Sequence, residues 1–228
     1  ALEQLFQKMQ ENSQQQFPDK AVFIADFDFY MKRNRESFTK EQFNRRIEYG
    51  HEVLANYYDK YINSFNKIVA IERSIKNVVV QGVPLKGKLD KLEFDGKSVN
   101  VVDYKSGNYE NALSKLKPPN DKEPNGGSYW RQAVFYKILV DNYQSKDWKV
   151  VSTEFDFIEP DKKKEYQKEK IVISPADIET VTNQITTTWQ KIQNREFYKG
   201  CGEEDCKWCN FVKTNNLSIL SEDAEEEI

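Results

Sequence analysis

Three charged residues, Asp90, Asp103 and Lys105, have the types and spacing that could bind a divalent metal ion. Two aspartate carboxylates can bind one Mg²⁺ ion, which takes oxygen ligands at about 2.0–2.1 Å. A lysine beside them can position a water molecule or stabilise negative charge that develops during a reaction. The valine-rich residues 98–102 precede Asp103, so two charges follow directly on a strand of the buried type.

A predicted hairpin brings these side chains together. Asp95-Gly96 is a strong signal for a two-residue turn between two β-rich segments. Such a turn would place Val101 opposite Asp90. Because residues two apart on a strand share a face, Asp90, Asp103 and Lys105 are expected on one face, with the two aspartates as diagonal neighbours about 7–8 Å apart. A bulge would shift this register.

The alternative is a solvated strand face that carries one Asp–Lys ion pair. Two carboxylates and an ammonium group on an otherwise apolar strand are costly to bury unless they are paired or bound to a metal. The apolar residues before Asp103 therefore favour a site over a solvated face.

The rest of the chain alternates helical and strand patterns. Apolar residues at three- and four-residue steps predict helices over about 40–64, 128–143 and 174–197. β-rich segments predict strands over about 67–80, 83–94, 98–105, 150–159 and 166–173. Residues 1–20 are rich in Gln and Asn and are expected to be a frayed or docking segment, and residues 107–127 a long loop. This order predicts an α/β fold in which helices flank a mixed central sheet.

The composition excludes several classes of protein. Of 228 residues, 34 are basic and 37 acidic, and five of the acids lie in the last seven residues, so the rest of the chain carries 34 basic and 32 acidic residues. This balance neither supports nor excludes a polyanionic substrate. No apolar run approaches the roughly 20 residues of a membrane span, and no signal-peptide pattern opens the chain. The first residue is Ala and not Met, which suggests a fragment or a processed chain.

The three cysteines, Cys201, Cys206 and Cys209, lie within nine residues of one another. An odd number at such close spacing does not make a disulfide framework, so a reducing, cytoplasmic compartment is expected.

The charged residues form part of a pattern that resembles the RecB-like nucleases of the PD-(D/E)XK superfamily. The resemblance covers about residues 43–140 and more loosely extends to 210. Its motifs are Gly50-His51-Glu52-x-Leu54, Glu72, Gly87-x-x-Asp90-Lys91, Val102-Asp103-Tyr104-Lys105-Ser106-Gly107 and Gln132-x-x-x-Tyr136. Each piece alone is weak, but their combination in this order is specific. Lys91 stands where the family often has Arg, and Ser106 where it often has Thr.

This resemblance implies a nuclease fold with a Mg²⁺ or Mn²⁺ ion. Asp90 and Asp103 would hold the ion, with the Tyr104 carbonyl as a possible further ligand. His51, the only histidine in the chain, would be a ligand or would orient one. Without the motif, a lone histidine on the inner face of a helix would be read as a core residue.

The remaining motif residues would act on water and on the substrate. Lys105 would orient or help deprotonate the attacking water, and Glu72 would ligate the ion or polarise a water molecule. Gln132 and Tyr136, one helical turn apart, would contact the DNA backbone or support the lysine. Ordinary core packing is the alternative for Tyr136.

The cysteine segment resembles the C-terminal cysteine knot of iron–sulfur members of this family, which use four thiolates. No cysteine precedes Cys201, and Asn215 stands where a further one would be expected. Three thiolates cannot complete a four-cysteine cluster, and structural zinc also takes four ligands. We therefore expect Cys201, Cys206 and Cys209 to pack without an iron–sulfur cluster or zinc ion.

Together these observations predict a metal-dependent DNA nuclease, and in particular an exonuclease acting on DNA ends or single strands. The resemblance also implies a helicase domain or subunit as partner, a role in DNA repair or recombination, and no contact with membranes. The predicted segments are a polar docking segment (1–39), a nuclease core (40–200), a cysteine segment (201–213) and an acidic tail (214–228). The alternative is a catalytically inactive domain of the same fold that binds DNA through lysine-rich segments such as 162–170, or binds a partner protein.

Overall fold

A five-stranded sheet organises the chain. The computed structural model describes residues 1–196, 200–201 and 204–215, and the chain divides into two units, Ala1–Thr182 and Asn183–Ile228. The first unit contains the sheet, whose strands in spatial order are β1 (Val69–Val80), β2 (Val83–Asp95), β3 (Ser98–Lys105), β4 (Lys149–Phe157) and β5 (Lys168–Ile171). β3 and β4 are parallel, whereas the other neighbouring pairs are antiparallel.

Helices lie before, between and after the strands along the chain. They are α1 (Leu2–Glu11), α2 (Lys20–Arg33), α3 (Lys40–Tyr61), α4 (Ser128–Asp141), α5 (Pro175–Gln193) and α6 (Lys207–Thr214). The predicted α/β fold, a mixed sheet flanked by helices, is confirmed. Strand β5 is shorter than predicted and α5 ends at Gln193. The predicted acidic tail lies, from residue 216 onwards, outside the described residues.

Two hydrophobic clusters lie on opposite faces of the sheet. One packs α4 on the sheet and includes Val101 of β3 and Leu139 of α4. The other packs α1, α2 and α3 and includes the ring of Tyr104. Because side chains alternate along a strand, Asp103 and Lys105 lie on the same side as Val101, facing α4.

The N-terminal residues differ from the expectation of a frayed or docking segment. Leu5, Phe6 and Met9 of α1 and Phe23 of α2 are buried in the cluster that also contains Tyr57 of α3. The apolar residues of α1 recur at three- and four-residue steps, which is the spacing of a buried helix face. Gln7 and Gln10 lie on the exposed side of this helix, and Gln14, Gln15 and Gln16 are exposed beyond its end.

The turn of the β2–β3 hairpin lies one residue later than predicted, which shifts the strand pairing by two residues. Asp95 pairs with Ser98, so the turn is Gly96-Lys97 and not Asp95-Gly96. Gly96 is the first central residue of this turn and has a φ of 58°. A type II′ turn requires a positive φ at this position, which glycine adopts without strain. The predicted pairing of Val101 with Asp90 is wrong, since Val101 pairs with Leu92. A shift of two residues leaves every side chain on its predicted face.

The predicted loop over residues 107–127 contains two short 3₁₀ turns, Glu110–Ala112 and Ser114–Leu116. The backbone at Lys115 and Lys117 packs against Gly127, directly before α4. The Gly127 N–H donates to the Lys117 carbonyl at 2.8 Å. Among the described residues, no helix has both the length and the apolar composition needed to cross a membrane.

Replacing Gly127 with alanine should destabilise the protein. A Cβ atom there would lie 2.2 Å from the Lys115 carbonyl oxygen, a backbone atom that can move only if the loop shifts. We expect the free energy of unfolding to fall by about 1–3 kcal/mol, as at other overpacked positions. Urea unfolding followed by circular dichroism measures the change.

The matched control is Ser128→Ala, at the exposed neighbouring position, which should change stability by less than about 0.5 kcal/mol. Equal stability of Gly127→Ala and the wild type would contradict close packing of the loop on α4.

Candidate active site

Asp103 is the centre of a polar cluster under α4. Its side chain follows the fully buried Val101 and Val102, and the residue itself is only 4% exposed. The Tyr136 hydroxyl donates to Asp103 Oδ1 at 2.7 Å, and the Gln132 amide donates to the same oxygen at 3.0 Å. The ammonium group of Lys105 lies 2.7 Å from Oδ2. Three donors therefore fix the orientation of this buried carboxylate, because hydrogen bonds to a charged group are strong and directional.

Lys105 is held as firmly as the carboxylate. Its ammonium group donates to Gln132 Oε1 at 2.8 Å as well as contacting Asp103. It also lies 4.4 Å from the ring centre of Tyr129 and 5.3 Å from that of Phe155, and these two rings are stacked. Aromatic faces attract cations, so the lysine is confined between two oxygen acceptors and two rings.

One face of α4 supplies most of these contacts. Tyr129, Gln132 and Tyr136 recur at steps of three and four residues, which places them on the same side of the helix. Gln132 also donates to the Tyr136 hydroxyl at 2.6 Å, so the helix presents a connected set of groups. Gln132 is thus a bridge between Asp103 and Lys105, as the supporting role predicted for it requires.

Asp90 approaches the cluster from β2. Lys91 of β2 pairs with Val102 of β3. Continuing this antiparallel register by one residue places Asp90 opposite Asp103. The Tyr104 N–H donates to Asp90 Oδ2 at 3.1 Å. Burial and, secondly, the charge of Asp103 raise the pKa of Asp90. The two carboxylates repel each other, which a cation between them would relieve.

The same negative charge affects Tyr136. Burial, followed by the charge of Asp103, raises the pKa of its hydroxyl well above the usual range. Tyr136 therefore keeps its proton and acts as a donor to Asp103.

Glu72 lies across the sheet from Asp90 in a strained backbone conformation. The pairs Ile71–Lys91 and Arg73–Leu89 bracket it, so its partner in the register is Asp90. Its φ of 48° is in the left-handed region, which costs a residue with a side chain about 1–3 kcal/mol. The carboxylate forms an ion pair with Lys88. Strain of this kind is common at functional sites, but the role of Glu72 as a ligand stays a prediction.

His51 is engaged elsewhere in the structure. Its Nε2 lies 2.5 Å from Asp28 Oδ1 of α2, and its ring packs edge-on against Phe27. Of the described residues, Gly50 lines the cavity beside Asp90, whereas His51 does not. The contacts of His51 are thus with α2, and its role at the metal stays a prediction.

A cavity of about 430 Å³ adjoins Asp90 on the side of the N-terminal helices. Its walls are mainly apolar, with Phe6, Phe27 and Leu54 among them, and Glu72 and Asp90 supply carboxylates. Space for a ligand thus reaches the candidate metal-binding residues.

The donor set of the site fits a hard divalent cation. Asp90 and Asp103 provide carboxylate oxygens, which Mg²⁺ and Mn²⁺ prefer, and Mg²⁺ commonly keeps several waters besides one or two carboxylates. In the described part of the chain, Glu72 does not join them closely enough to make a three-carboxylate group. The Tyr104 peptide contacts Asp90 through its N–H, and ligation by its carbonyl stays a prediction.

The second unit contains a different candidate ligand set. The sulfur atoms of Cys201, Cys206 and Cys209 all lie within 4.8 Å of one another. The backbone N–H of Cys209, the other two thiols and the Trp208 N–H lower the pKa of the Cys206 thiol to about 7. The sequence predicted that these cysteines only pack; the structure gathers their sulfur atoms.

Comparison with known proteins assigns the fold family. The sequence model of the PD-(D/E)XK nuclease superfamily matches residues 1–214, nearly the whole chain. The chain belongs to the PD-(D/E)XK nuclease superfamily. None of the curated proteins compared with it matches significantly.

Two solved structures show some likeness to this chain. A provisionally assigned exonuclease from Eubacterium rectale is 16% identical, with a TM-score of 0.50, and the match covers 95% of this chain and 82% of that one. The structure of SSO0001 is 13% identical with a TM-score of 0.41, over 96% of this chain and 98% of that one. At such identities the first likeness concerns the fold alone.

Sequence reasoning missed several residues of this PD-(D/E)XK site. Tyr129 could have been found, because it precedes Gln132 by three residues on the same helix face. Phe155 could not, since its place beside Asp103 depends on the parallel pairing of β3 with β4. Asp28, the partner of His51, carries no motif signal in the sequence.

In the metal-free protein, Asp90→Asn should increase stability at neutral pH. Because the pKa of Asp90 is raised on folding, the folded state holds this proton more tightly than the unfolded chain. The carboxyl group therefore lowers stability as the pH rises through its folded-state pKa. Asparagine carries no charge and keeps an oxygen for the Tyr104 N–H. The gain should vanish below the unfolded-state pKa of about 3.9, as measured by urea unfolding in EDTA.

Asp121→Asn, at an exposed loop position, is the control and should show no such pH-dependent gain. Adding Mg²⁺ should reduce or reverse the advantage of Asp90→Asn by stabilising the wild type. If Asp90→Asn is no more stable than the wild type at neutral pH in EDTA, repulsion between the two carboxylates is not a significant cost.

Proposed function

We propose that this chain is a Mg²⁺- or Mn²⁺-dependent nuclease that hydrolyses phosphodiester bonds in DNA. The observation that carries the proposal is the buried Asp103, which three donors hold beside Asp90 and in contact with Lys105. Membership of the nuclease superfamily supports the reaction class. The alternative of a solvated ion pair does not account for a carboxylate that is 4% exposed.

Asp90 and Asp103 would hold the cation, which supplies Lewis-acid stabilisation of charge on the scissile phosphate and lowers the pKa of bound water. In the reaction, a water oxygen would bond to phosphorus and lose its proton to solvent, while the bond from phosphorus to the leaving oxygen breaks. The leaving oxygen would take a proton from solvent and depart as a hydroxyl group. Lys105, fixed between Gln132 and the two rings, would orient the water or donate to a phosphate oxygen. Such a preorganised donor acts where negative charge develops.

Gln132 and Tyr136 would act as positioning residues. Gln132 contacts both the carboxylate and the ammonium group, and Tyr136 contacts the carboxylate. Their network supports the lysine and the metal-binding aspartate together. This arrangement favours the supporting role over direct contact with the DNA backbone.

The finer parts of the proposal rest on likeness to other proteins. Exonuclease action agrees with the name of the similar Eubacterium rectale protein, a provisionally assigned exonuclease. Action on DNA ends or single strands rests on the RecB-like resemblance. Association with a helicase and a role in DNA repair rest on the RecB-like resemblance of the motifs. We propose association with a helicase and a role in DNA repair as the biological setting of the nuclease activity.

Asp103→Ala and Lys105→Ala should each reduce DNA cleavage by roughly 10²–10³-fold, the usual effect of removing one preorganised electrostatic group. Cleavage of labelled single- and double-stranded DNA is measured with Mg²⁺ or Mn²⁺ and with EDTA, which should abolish it. Asp95→Ala and Lys97→Ala are matched controls, because they remove the same charges at the exposed end of the same hairpin. These controls should cleave at the wild-type rate.

Equal residual activity in the wild type and both site variants would contradict the catalytic assignment. It would favour the inactive DNA-binding domain, for which the exposed Lys162, Lys163 and Lys164 offer a basic surface. Such a domain would bind DNA equally with Mg²⁺ and with EDTA, and its affinity would fall steeply with salt.

If the enzyme is an exonuclease, linear single-stranded DNA should be degraded while a covalently closed circle of the same sequence stays intact. An exonuclease needs an end, so the expected difference exceeds about 10²-fold if the circle cannot enter the site. The two substrates are compared under the same metal conditions with wild-type protein and with Asp103→Ala. Cleavage of the circle at a similar rate would show endonuclease action.

A further inference from the structure

The three cysteines of the second unit form a sulfur-lined group that the nuclease site does not use. Cys206 is the N-terminal cap of α6 and Cys209 lies three residues later, so both thiols come to the same side of its first turn. Cys201 approaches from the preceding segment, with its sulfur 3.5 Å from that of Cys209. Its backbone N–H also donates to the Cys209 sulfur at 3.4 Å.

Hydrophobic packing does not account for this gathering. Buried cysteines often behave as small apolar residues, but Cys201 is exposed and the other two are only half-buried. Within the described part of α6, no residue is buried, and Trp208 and Phe211 beside the cysteines are 81% and 56% exposed. The sequence expectation of a packed segment is therefore not what the structure shows.

The sulfur distances fit a metal better than a disulfide. An S–S bond needs about 2.05 Å, so a separation of 3.5 Å is too long for one. Zinc–sulfur bonds of about 2.3 Å in a tetrahedron place their sulfurs roughly 3.8 Å apart. The separation of 3.5 Å between Cys201 and Cys209 is close to this value. All three sulfurs lie within 4.8 Å of one another, so only small shifts would be needed.

The four-thiolate cluster that the sequence motif resembles is not supported. Asn215 stands where a further cysteine would be expected, and its side-chain amide donates to the Phe211 carbonyl at 2.8 Å, which ends α6. Three soft thiolates select zinc over the hard cations that suit Asp90 and Asp103.

We propose that Cys201, Cys206 and Cys209 bind one Zn²⁺ ion through three thiolates, with water from the exposed side as the fourth ligand. Three protein ligands and one open position make a recognised zinc geometry. Binding releases the remaining thiol protons, so the affinity falls in acid. The ion would join Cys201 to the first turn of α6, and its binding energy would stabilise this segment.

The test uses the full chain, purified with a non-thiol reductant, loaded with Zn²⁺ and desalted. About one zinc ion per chain is expected by elemental analysis, and X-ray absorption should show three sulfur neighbours at about 2.3 Å. Replacement of Zn²⁺ by Co²⁺ should give sulfur-to-cobalt charge-transfer bands and the intense visible bands of a tetrahedral site. This readout on the wild type does not depend on the folding of any variant.

Cys201→Ser, Cys206→Ser and Cys209→Ser should each weaken zinc binding by at least about 10-fold, as removal of a ligand or of its support does. Asp103→Ala is the matched control for the other metal site and should keep the full zinc content. Circular dichroism verifies that each variant is folded.

Several outcomes would overturn the proposal. They are a wild type that loses all zinc on desalting, retention of zinc by the cysteine variants, and a sulfur count of one or none. An intact mass lower by two hydrogen atoms, with no zinc, would instead show an oxidised disulfide between two of the three cysteines. Iron–sulfur absorption in anaerobically purified protein would show that the segment holds a cluster.

Discussion

The repulsion between Asp90 and Asp103 is the constraint on which the rest of the active site depends. The two carboxylates lie on the adjacent strands β2 and β3, and burial, followed by the charge of Asp103, raises the pKa of Asp90. Such an arrangement is costly without compensation. Donors from Tyr136, Gln132 and Lys105 offset the cost at Asp103, and a divalent cation would offset the remainder. The sheet holds two groups together that would separate in solution.

The architecture provides this compensation from both faces of the sheet. On one face, α4 is anchored by Leu139 and its neighbours and presents Gln132 and Tyr136 towards β3. On the other, the N-terminal helices cover β2 and β3 and leave a cavity of about 430 Å³ that reaches Asp90. Most of this scaffold therefore serves to hold a few polar groups rigidly, which is how preorganised sites stabilise developing charge.

Most of the fold and the main site residues were predictable because they depend on local patterns. The period of apolar residues predicted α3, α4 and the order of the strands, and motif spacing predicted Asp90, Asp103 and Lys105. The hairpin turn was predicted one residue too early, which shifts the strand pairing by two residues. Because side chains alternate with a period of two, the face assignment was unaffected. The helices of residues 1–39 were missed because composition concealed the apolar face of α1.

The sequence by itself determined which chemical groups are available and on which face of each element they lie, because periodicity and spacing are local properties. Only the tertiary structure decided which groups meet. Gln132 bridges Asp103 and Lys105, and Phe155 reaches the lysine through parallel strand pairing. His51 pairs with Asp28 of α2, a contact that no motif indicates, and three cysteines expected only to pack share one small volume. These contacts join residues brought together by chain packing, which spacing along the sequence does not specify.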